Sequence, residues 1–139
     1  MSEVKMNNIE IFKIYKLKEN LQKGIEKYAK TKCEVILPII DVFDDILFGV
    51  LTNEEKEGSV FLDESFDSKY LSFDRFYRIS KDNLKSNIDE IGTNELNQRV
   101  NEEKEIEILQ KIRDSFDDYK SNIKLTYIYK KPKYKTAQH

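Results

Sequence analysis

The sequence predicts a single α+β domain with a mostly antiparallel sheet of about five strands and helices packed on one face. Three observations favour this fold class. The 139 residues fit one domain, apolar residues at helical spacing alternate with short β-branched runs, and no Gly/Ser-rich linker or internal repeat divides the chain. The expected element order is α-β-β-β-β-α-α-β over residues 1–129, followed by a basic C-terminal extension over residues 130–139.

The N-terminal part predicts a helix over residues 8–30. Asn7, with Glu10 three residues later, has the pattern of a capping box. Apolar residues follow at spacings compatible with one helical face: Ile11, Ile14, Leu21, Ile25 and Tyr28. The competing interpretation is a strand over residues 9–17, which is rich in β-branched and aromatic residues, followed by a shorter helix from Lys18.

The middle of the chain predicts three strands. Residues 34–40 are a continuous apolar run in which Pro38 indicates an edge or a bulge, because proline has no N–H to donate. Residues 46–51 and 59–62 flank a polar linker in which Gly58 is available for a positive φ. This pattern predicts a β-hairpin with a long acidic tip.

A fourth strand and a short helix are expected next. Residues 70–79 alternate so that one face of a half-buried strand is apolar: Leu71, Phe73, Tyr77 and Ile79. Ser80 is placed to cap a helix that ends at Gly92, and the apolar face of this helix is expected to carry Leu84, Ile88 and Ile91.

The C-terminal third predicts a further helical region and a last strand. Thr93 or Asn94 is expected to cap a helix, and the polar stretch 101–105 predicts a break between two helices. The second of these carries an apolar stripe: Ile106, Leu109, Ile112, Phe116 and Tyr119. Residues 123–129 alternate as an antiparallel strand does.

Composition excludes several classes of chemistry. The lone His139 stands at the chain end, the lone Cys33 is expected to be a small buried hydrophobe, and four glycines form no phosphate-binding motif. We therefore expect no catalytic residue, no metal site and no cofactor. The N-terminus has no apolar signal core and no stretch is long enough to span a membrane, so the sequence predicts a soluble cytoplasmic protein.

The charge distribution is the main functional signal. The net charge is only −2, with 24 Lys and Arg against 26 Asp and Glu, but residues 41–67 carry one Lys against nine acids, a net charge of −8. The acidic side chains of a hairpin can have two roles. They prevent the exposed strand edges of different molecules from associating, or they dock onto a basic surface. The docking hypothesis assigns electrostatic recognition of a partner to Asp44, Asp45, Glu54, Glu55, Glu57, Asp63 and Glu64.

The leading hypothesis is a small non-enzymatic binding protein that recognises and inhibits a basic protein partner, such as a nucleic-acid-processing enzyme. Its size and acidic hairpin are typical of immunity proteins and phage inhibitors of host defence, and its many Lys, Ile and Asn residues indicate an AT-rich bacterial or mobile-element gene. Nearby aromatic residues are candidate anchors, namely Phe48, Phe61, Phe66 and Tyr70, although Phe48 and Phe61 are expected to be core residues.

Two other functions remain open. Asp41, Asp44 or Asp45 followed by Glu54 and Lys56 has the Asp…Glu-x-Lys order of many Mg²⁺-dependent nucleases, but here the Glu-x-Lys part falls in a polar loop. Alternatively, the C-terminal segment 127–135 alternates Tyr with Lys and predicts contact with nucleic-acid phosphates and bases in an accessory protein.

Overall fold

The computed structural model describes residues 9–29, 31–88, 98–117 and 123–129. These residues form one α+β domain with an open, mostly antiparallel sheet of seven strands and three helices, so the predicted fold class is confirmed. The elements are β1 (Tyr15–Lys16), α1 (Glu19–Ala29), β2 (Val35–Val42), β3 (Asp45–Thr52), β4 (Val60–Phe61), β5 (Tyr70–Leu71), β6 (Arg75–Ser80), α2 (Lys81–Ser86), α3 (Glu102–Asp117) and β7 (Lys124–Tyr127).

The N-terminal segment is a strand followed by a helix, as the competing interpretation has it. Tyr15 pairs with Ile36 of β2, and α1 begins at Glu19. The expected single helix over residues 8–30 is therefore wrong for residues 9–17. This stretch lies between two apolar clusters, with Ile14 in one and Tyr15 in the other, and extended backbone is the conformation that points successive side chains to opposite faces.

The hairpin is formed by β2 and β3, which are joined by a two-residue turn of Phe43 and Asp44. The predicted pairing of residues 46–51 with 59–62 is wrong, because β4 pairs with β5 instead. The turn was missed because its sequence, Phe-Asp, lacks the Asn-Gly type of signal. The predicted irregularity at Pro38 is confirmed, since the β2–β3 register shifts between Pro38 and Ile40.

Strand β3 has different neighbours along its second edge. Its first half pairs with β6, for example Phe48 with Tyr77, and its end pairs with β5, where Leu51 faces Leu71. Residues 70–79 are therefore two strands rather than the predicted one. Leu71 and Phe73 belong to one apolar cluster and Tyr77 to the other, because the chain changes course between β5 and β6.

Gly49 lies where β3 changes partner. A Cβ atom built on Gly49 would stand 2.7 Å from Leu71 Cδ1 and 3.0 Å from Phe76 Cε1, both of which belong to buried side chains. Only a residue without a side chain leaves the space that these two groups fill. The glycine thus allows β5 and β6 to meet against one strand.

The helices cover both faces of the sheet, whereas one face was expected. Successive side chains of β3 belong to two different apolar clusters: Ile46 lies in one cluster and Leu47 lies in the other. The cluster of Ile46 also contains Leu21 and Ile25 of α1 and Leu84 of α2. The cluster of Leu47 contains Ile108 and Ile112 of α3. Seven residues of β3, from Asp45 to Leu51, are consequently buried, as in strands covered on both sides.

The predicted start of α2 is confirmed, because the Ser80 hydroxyl accepts a hydrogen bond from the backbone N–H of Asn83 at 3.1 Å. The helix ends at Ser86, earlier than expected. The predicted contribution of Ile91, the stop at Gly92 and the cap at Thr93 or Asn94 lie outside the described residues.

Helix α3 begins directly after Asn101, whose side-chain oxygen accepts from the N–H of Lys104 at 2.8 Å. The polar stretch 101–105 is thus mostly the first turns of the helix. Its buried face is centred on Ile108 and Ile112, so the predicted stripe is wrong in part: Ile106, Leu109 and Phe116 are 66%, 42% and 69% exposed. Tyr119 lies outside the described residues.

The last strand is shorter than predicted, and β7 pairs with β6 in parallel rather than antiparallel orientation.

We predict that Gly49→Ala lowers the free energy of unfolding by about 1–3 kcal/mol, because the new methyl group displaces packed core side chains. Gly24→Ala is the matched control. Its Cβ would meet only ordinary van der Waals contacts, at 3.4 Å from Tyr129 Oη, and alanine favours the helical backbone of α1. Urea denaturation of the two variants measures the difference, and equal effects would contradict the role of Gly49.

Candidate functional site

The seven acids predicted to form one partner-binding surface do not lie together. Asp44 is in the β2–β3 turn, whereas Glu54, Glu55 and Glu57 are in the loop that leaves the other end of β3. A strand rises roughly 3.3 Å per residue, so the length of β3 puts about 23 Å between these groups. The sequence-based hairpin grouped acids that the fold sends to opposite ends of the sheet.

Asp45 serves the interior of the domain. It is 7% exposed, and its Oδ2 accepts from Arg78 Nε at 2.7 Å and from the Tyr127 hydroxyl at 2.6 Å. The hydrogen bond to Asp45 raises the pKa of Arg78 and that of Tyr127. The carboxylate joins β3, β6 and β7, so we remove Asp45 from the candidate partner-binding residues.

The acids after β3 occupy an ordered acidic loop, residues 53–58. The Thr52 hydroxyl donates to the carbonyl of Glu54 at 2.9 Å, the Lys56 N–H donates to Ser59 Oγ at 3.1 Å, and Gly58 has the positive φ predicted for it, 83°. The loop carries three exposed carboxylates that make no ion pair within the described ranges: Glu54, Glu55 and Glu57.

The last two predicted acids lie in the turn after β4. Asp63 Oδ2 accepts from the Ser65 N–H at 3.0 Å and from the Ser65 hydroxyl, and these bonds lower the pKa of Asp63. Asp63 thus stabilises a local turn. Glu64 is exposed beside it.

The carboxylate set proposed for a nuclease is also divided. Asp41 forms an ion pair with Lys81 at 2.6 Å and lies with Asp44 at the turn end of β3, while Glu54 and Lys56 lie at the other end. Within the part of the chain that the structure describes, no three His, Cys, Asp or Glu side chains are placed to hold a metal ion. The two halves of the Asp…Glu-x-Lys set are therefore not brought together by the fold.

The candidate aromatic anchors agree with expectation only in part. Phe48 is buried against Tyr77, with ring centroids 5.5 Å apart, which confirms it as a core residue. Phe66 is also buried, and Phe61 is 40% exposed, so the expectation that Phe61 is a core residue is wrong. Tyr70 contacts Phe61 edge to face.

Phe43 is an exposed aromatic residue that was not among the sequence-based candidates. It is 90% exposed at the hairpin turn and has a φ of 56°, in the left-handed region that bulky residues rarely occupy. Asp44 beside it is exposed, and its carbonyl accepts from the N–H of Lys81 at 2.8 Å, which joins the turn to α2. We call Phe43 and Asp44 the hairpin tip. The sequence signal that points to it is the short break of residues 41–45 between the apolar runs 35–40 and 46–51.

At the opposite end of β3, a cleft of about 290 Å³ lies beside the end of α1. We call it the α1 cleft. Polar and charged groups dominate its lining, which includes Tyr28, Lys56, Asp74, Arg75, Tyr77 and Lys124. A neighbouring cavity of about 320 Å³ is lined by both Glu34 and Glu54.

Cys33 is a buried residue, as predicted. Its Sγ donates to the carbonyl of Thr31 at 3.4 Å. Burial, with a smaller contribution from the nearby Glu26 carboxylate, raises the pKa of the thiol to about 11. The thiol therefore stays protonated at neutral pH and is a poor nucleophile.

We predict that Asp45→Asn lowers the free energy of unfolding by about 1–3 kcal/mol, because Arg78 and Tyr127 lose their charged acceptor. Asp44→Asn, a change of the same type at the neighbouring exposed residue, should have an effect within about 0.5 kcal/mol. Urea denaturation at neutral pH compares them. An Asp45→Asn variant as stable as Asp44→Asn would show that the buried carboxylate does not hold the three strands together.

We also predict a loss of stability between pH 9 and about 11. Because the pKa of Cys33 is raised above its ordinary value of 9.0, the folded protein keeps a proton that the unfolded chain releases. The contribution is fully present below pH 9 and disappears as the pH rises through 11. Unfolding free energies measured from pH 7 to pH 11 should therefore fall less steeply in Cys33→Ala than in the wild type, and parallel profiles would contradict the prediction.

Comparison with protein-family models, curated proteins and solved structures gave no match for this chain. Among the helices of the described residues, none is long and apolar enough to cross a membrane. The chemistry of the described side chains is therefore the basis for a functional hypothesis.

Proposed function

We propose that this protein is a non-enzymatic cytoplasmic binding protein that recognises and inhibits a basic protein partner through the hairpin tip. The observation that supports the proposal is Phe43, a phenylalanine that combines 90% exposure with a positive φ. Backbone outliers of this kind concentrate at functional sites, where the surroundings hold them in place.

Phe43 is unfavourable in the isolated protein for two reasons. A left-handed backbone costs a residue with a side chain roughly 1–2 kcal/mol. Leaving the ring in water also forgoes about 1.5–3 kcal/mol of burial energy. Both asparagine and glycine suit a hairpin turn better. Insertion of the ring into an apolar pocket of a partner would recover the burial energy, which is how aromatic anchors of protein interfaces act.

The charges around the hairpin tip favour a basic partner. Asp41 and Asp45 are neutralised by Lys81 and Arg78, respectively. Asp44, and Asp82 in the first turn of α2, have no ion pair within the described ranges. The anchor is thus bordered by acidic groups, which complement an apolar pocket with Lys or Arg at its rim.

The acidic loop has a secondary role in this proposal. Glu54, Glu55 and Glu57 are too far from Phe43 to enter the same contact, and salt screens charges beyond about 8 Å at physiological ionic strength. They would accelerate encounter with a basic surface at low salt without contributing to the bound interface. Inhibition would follow where the hairpin tip enters a basic groove that the partner uses for phosphates, as in immunity proteins and phage inhibitors of defence enzymes.

The test uses tagged protein as bait in extracts of the source cells, with quantitative mass spectrometry of what is retained. Phe43→Asn should lose the partner and at the same time raise the free energy of unfolding by about 1 kcal/mol, because asparagine tolerates the left-handed turn position. Loss of binding combined with a gain in stability separates an interface role from unfolding.

The matched control is the triple charge reversal Glu54→Lys, Glu55→Lys and Glu57→Lys at the opposite end of β3. The proposal predicts that this variant retains the partner at physiological salt, with slower association at low salt. A partner lost by the triple variant and kept by Phe43→Asn would place recognition on the acidic loop. Retention of the same proteins by every bait, or of none by the wild type, would contradict the proposal.

A further inference from the structure

We infer that the α1 cleft is a binding site for a small phosphate-bearing molecule. The cleft lies at the end of β3 opposite to the hairpin tip, so this site is separate from the proposed protein interface. Its volume, about 290 Å³, is close to the lower limit of known ligand clefts, which is about 300 Å³. A phosphomonoester is a ligand of suitable size.

Three cationic residues from different elements line the cleft. Lys56 comes from the acidic loop, Arg75 from the start of β6 and Lys124 from the start of β7, and none of them forms an ion pair within the described ranges. Asp74 is the one carboxylate that lines the cleft. Like charges around one cavity repel each other, and an anion with more than one negative charge relieves this repulsion.

The Tyr77 hydroxyl is a buried polar group without a hydrogen bond among the described residues. Tyr77 is 1% exposed, lines the cleft, and lies within electrostatic range of Asp74 and Arg75. Burial raises the pKa of this phenol, so it remains a hydrogen-bond donor. Native proteins rarely leave such a group without a partner, because its desolvation is then uncompensated. A ligand oxygen in the cleft would supply the missing acceptor.

Arg75 is held in place before any ligand arrives. Its guanidinium lies 5.6 Å from the centroid of the Tyr28 ring, and Nη1 donates to the Thr126 hydroxyl. A fixed guanidinium loses little side-chain entropy on binding and presents its remaining N–H groups in the planar arrangement that suits phosphate oxygens. A phosphoryl group has more acceptor oxygens than a single carboxylate. The donors around the α1 cleft therefore favour a phosphoryl group.

The acidic loop does not oppose such a ligand from within the cleft. Lys56 lines both the α1 cleft and the neighbouring cavity, Glu54 lines only the neighbouring cavity, and neither Glu55 nor Glu57 lines either one. The loop thus contributes its one cation, and none of its carboxylates, to the lining of the α1 cleft.

The test is isothermal titration calorimetry of the full chain with three probes: inorganic phosphate, adenosine monophosphate and adenosine. Saturable binding of both phosphate-bearing probes, and none of adenosine, is expected. Binding of the monophosphate that is at least fivefold tighter than that of inorganic phosphate would indicate a nucleotide, and equal binding would indicate the phosphoryl group alone as the recognised unit. No saturable binding of either phosphate probe at millimolar concentration would overturn the inference.

Tyr77→Phe keeps the ring and removes the hydroxyl. We expect it to weaken phosphate binding at least fivefold while leaving the melting temperature of the unliganded protein unchanged or higher. The matched control is Tyr15→Phe, another tyrosine that is 1% exposed, whose oxygen accepts from the N–H of Glu10 at 2.9 Å. This control should bind phosphate normally and melt at a lower temperature.

Lys124→Gln, an exposed change that should not disturb folding, is expected to weaken binding at least threefold. The inference fails if Tyr77→Phe binds phosphate as the wild type does. It also fails if Tyr77→Phe and Tyr15→Phe lose stability equally, because the Tyr77 hydroxyl would then have an internal partner.

Discussion

The structure depends on the burial of strand β3, from Asp45 to Leu51, on both of its faces and along both of its edges. A strand of this kind needs apolar cover on each side, and α1 with α2 on one face and α3 on the other provide it. Its second edge is shared by β6 and β5, which is possible because Gly49 leaves room where they meet. Much of the architecture follows from covering this one strand.

The same burial determines where the polar chemistry lies. Because the middle of β3 is apolar on both faces, exposed charges near it occur at its two ends. One end carries the hairpin tip, and the other carries the acidic loop and the α1 cleft. Hydrogen bonds on both sides of the turn hold the hairpin tip in place. Asp45 binds Arg78 and Tyr127, and the N–H of Lys81 in α2 donates to the carbonyl of Asp44. A supported tip can hold Phe43 exposed at an unfavourable backbone angle without local unfolding.

The candidate sites were only partly predictable from the sequence. The acidic character of residues 41–67 was visible, but its division between two ends depends on which strands pair. Asp44 and Asp45 are adjacent acids of the same type, yet one is exposed and the other is buried against an arginine 33 positions away. Tyr77 was recognised as a face-forming residue of a strand. That its hydroxyl lines a polar cleft depends on side chains from β3, β6, β7 and the end of α1, which are distant in sequence.

The sequence by itself determined features that depend on neighbours a few residues apart. These include the Ser80 cap of α2, the irregularity at Pro38, the positive φ of Gly58 and the fold class, because capping, missing N–H groups and side-chain periodicity act locally. Only the tertiary structure decided that β2 pairs with β3, that helices cover both faces, and that Ile108 rather than Ile106 is buried. These features depend on how much apolar surface whole elements bury against each other. That burial energy does not depend on how far apart in the chain the contacting residues are.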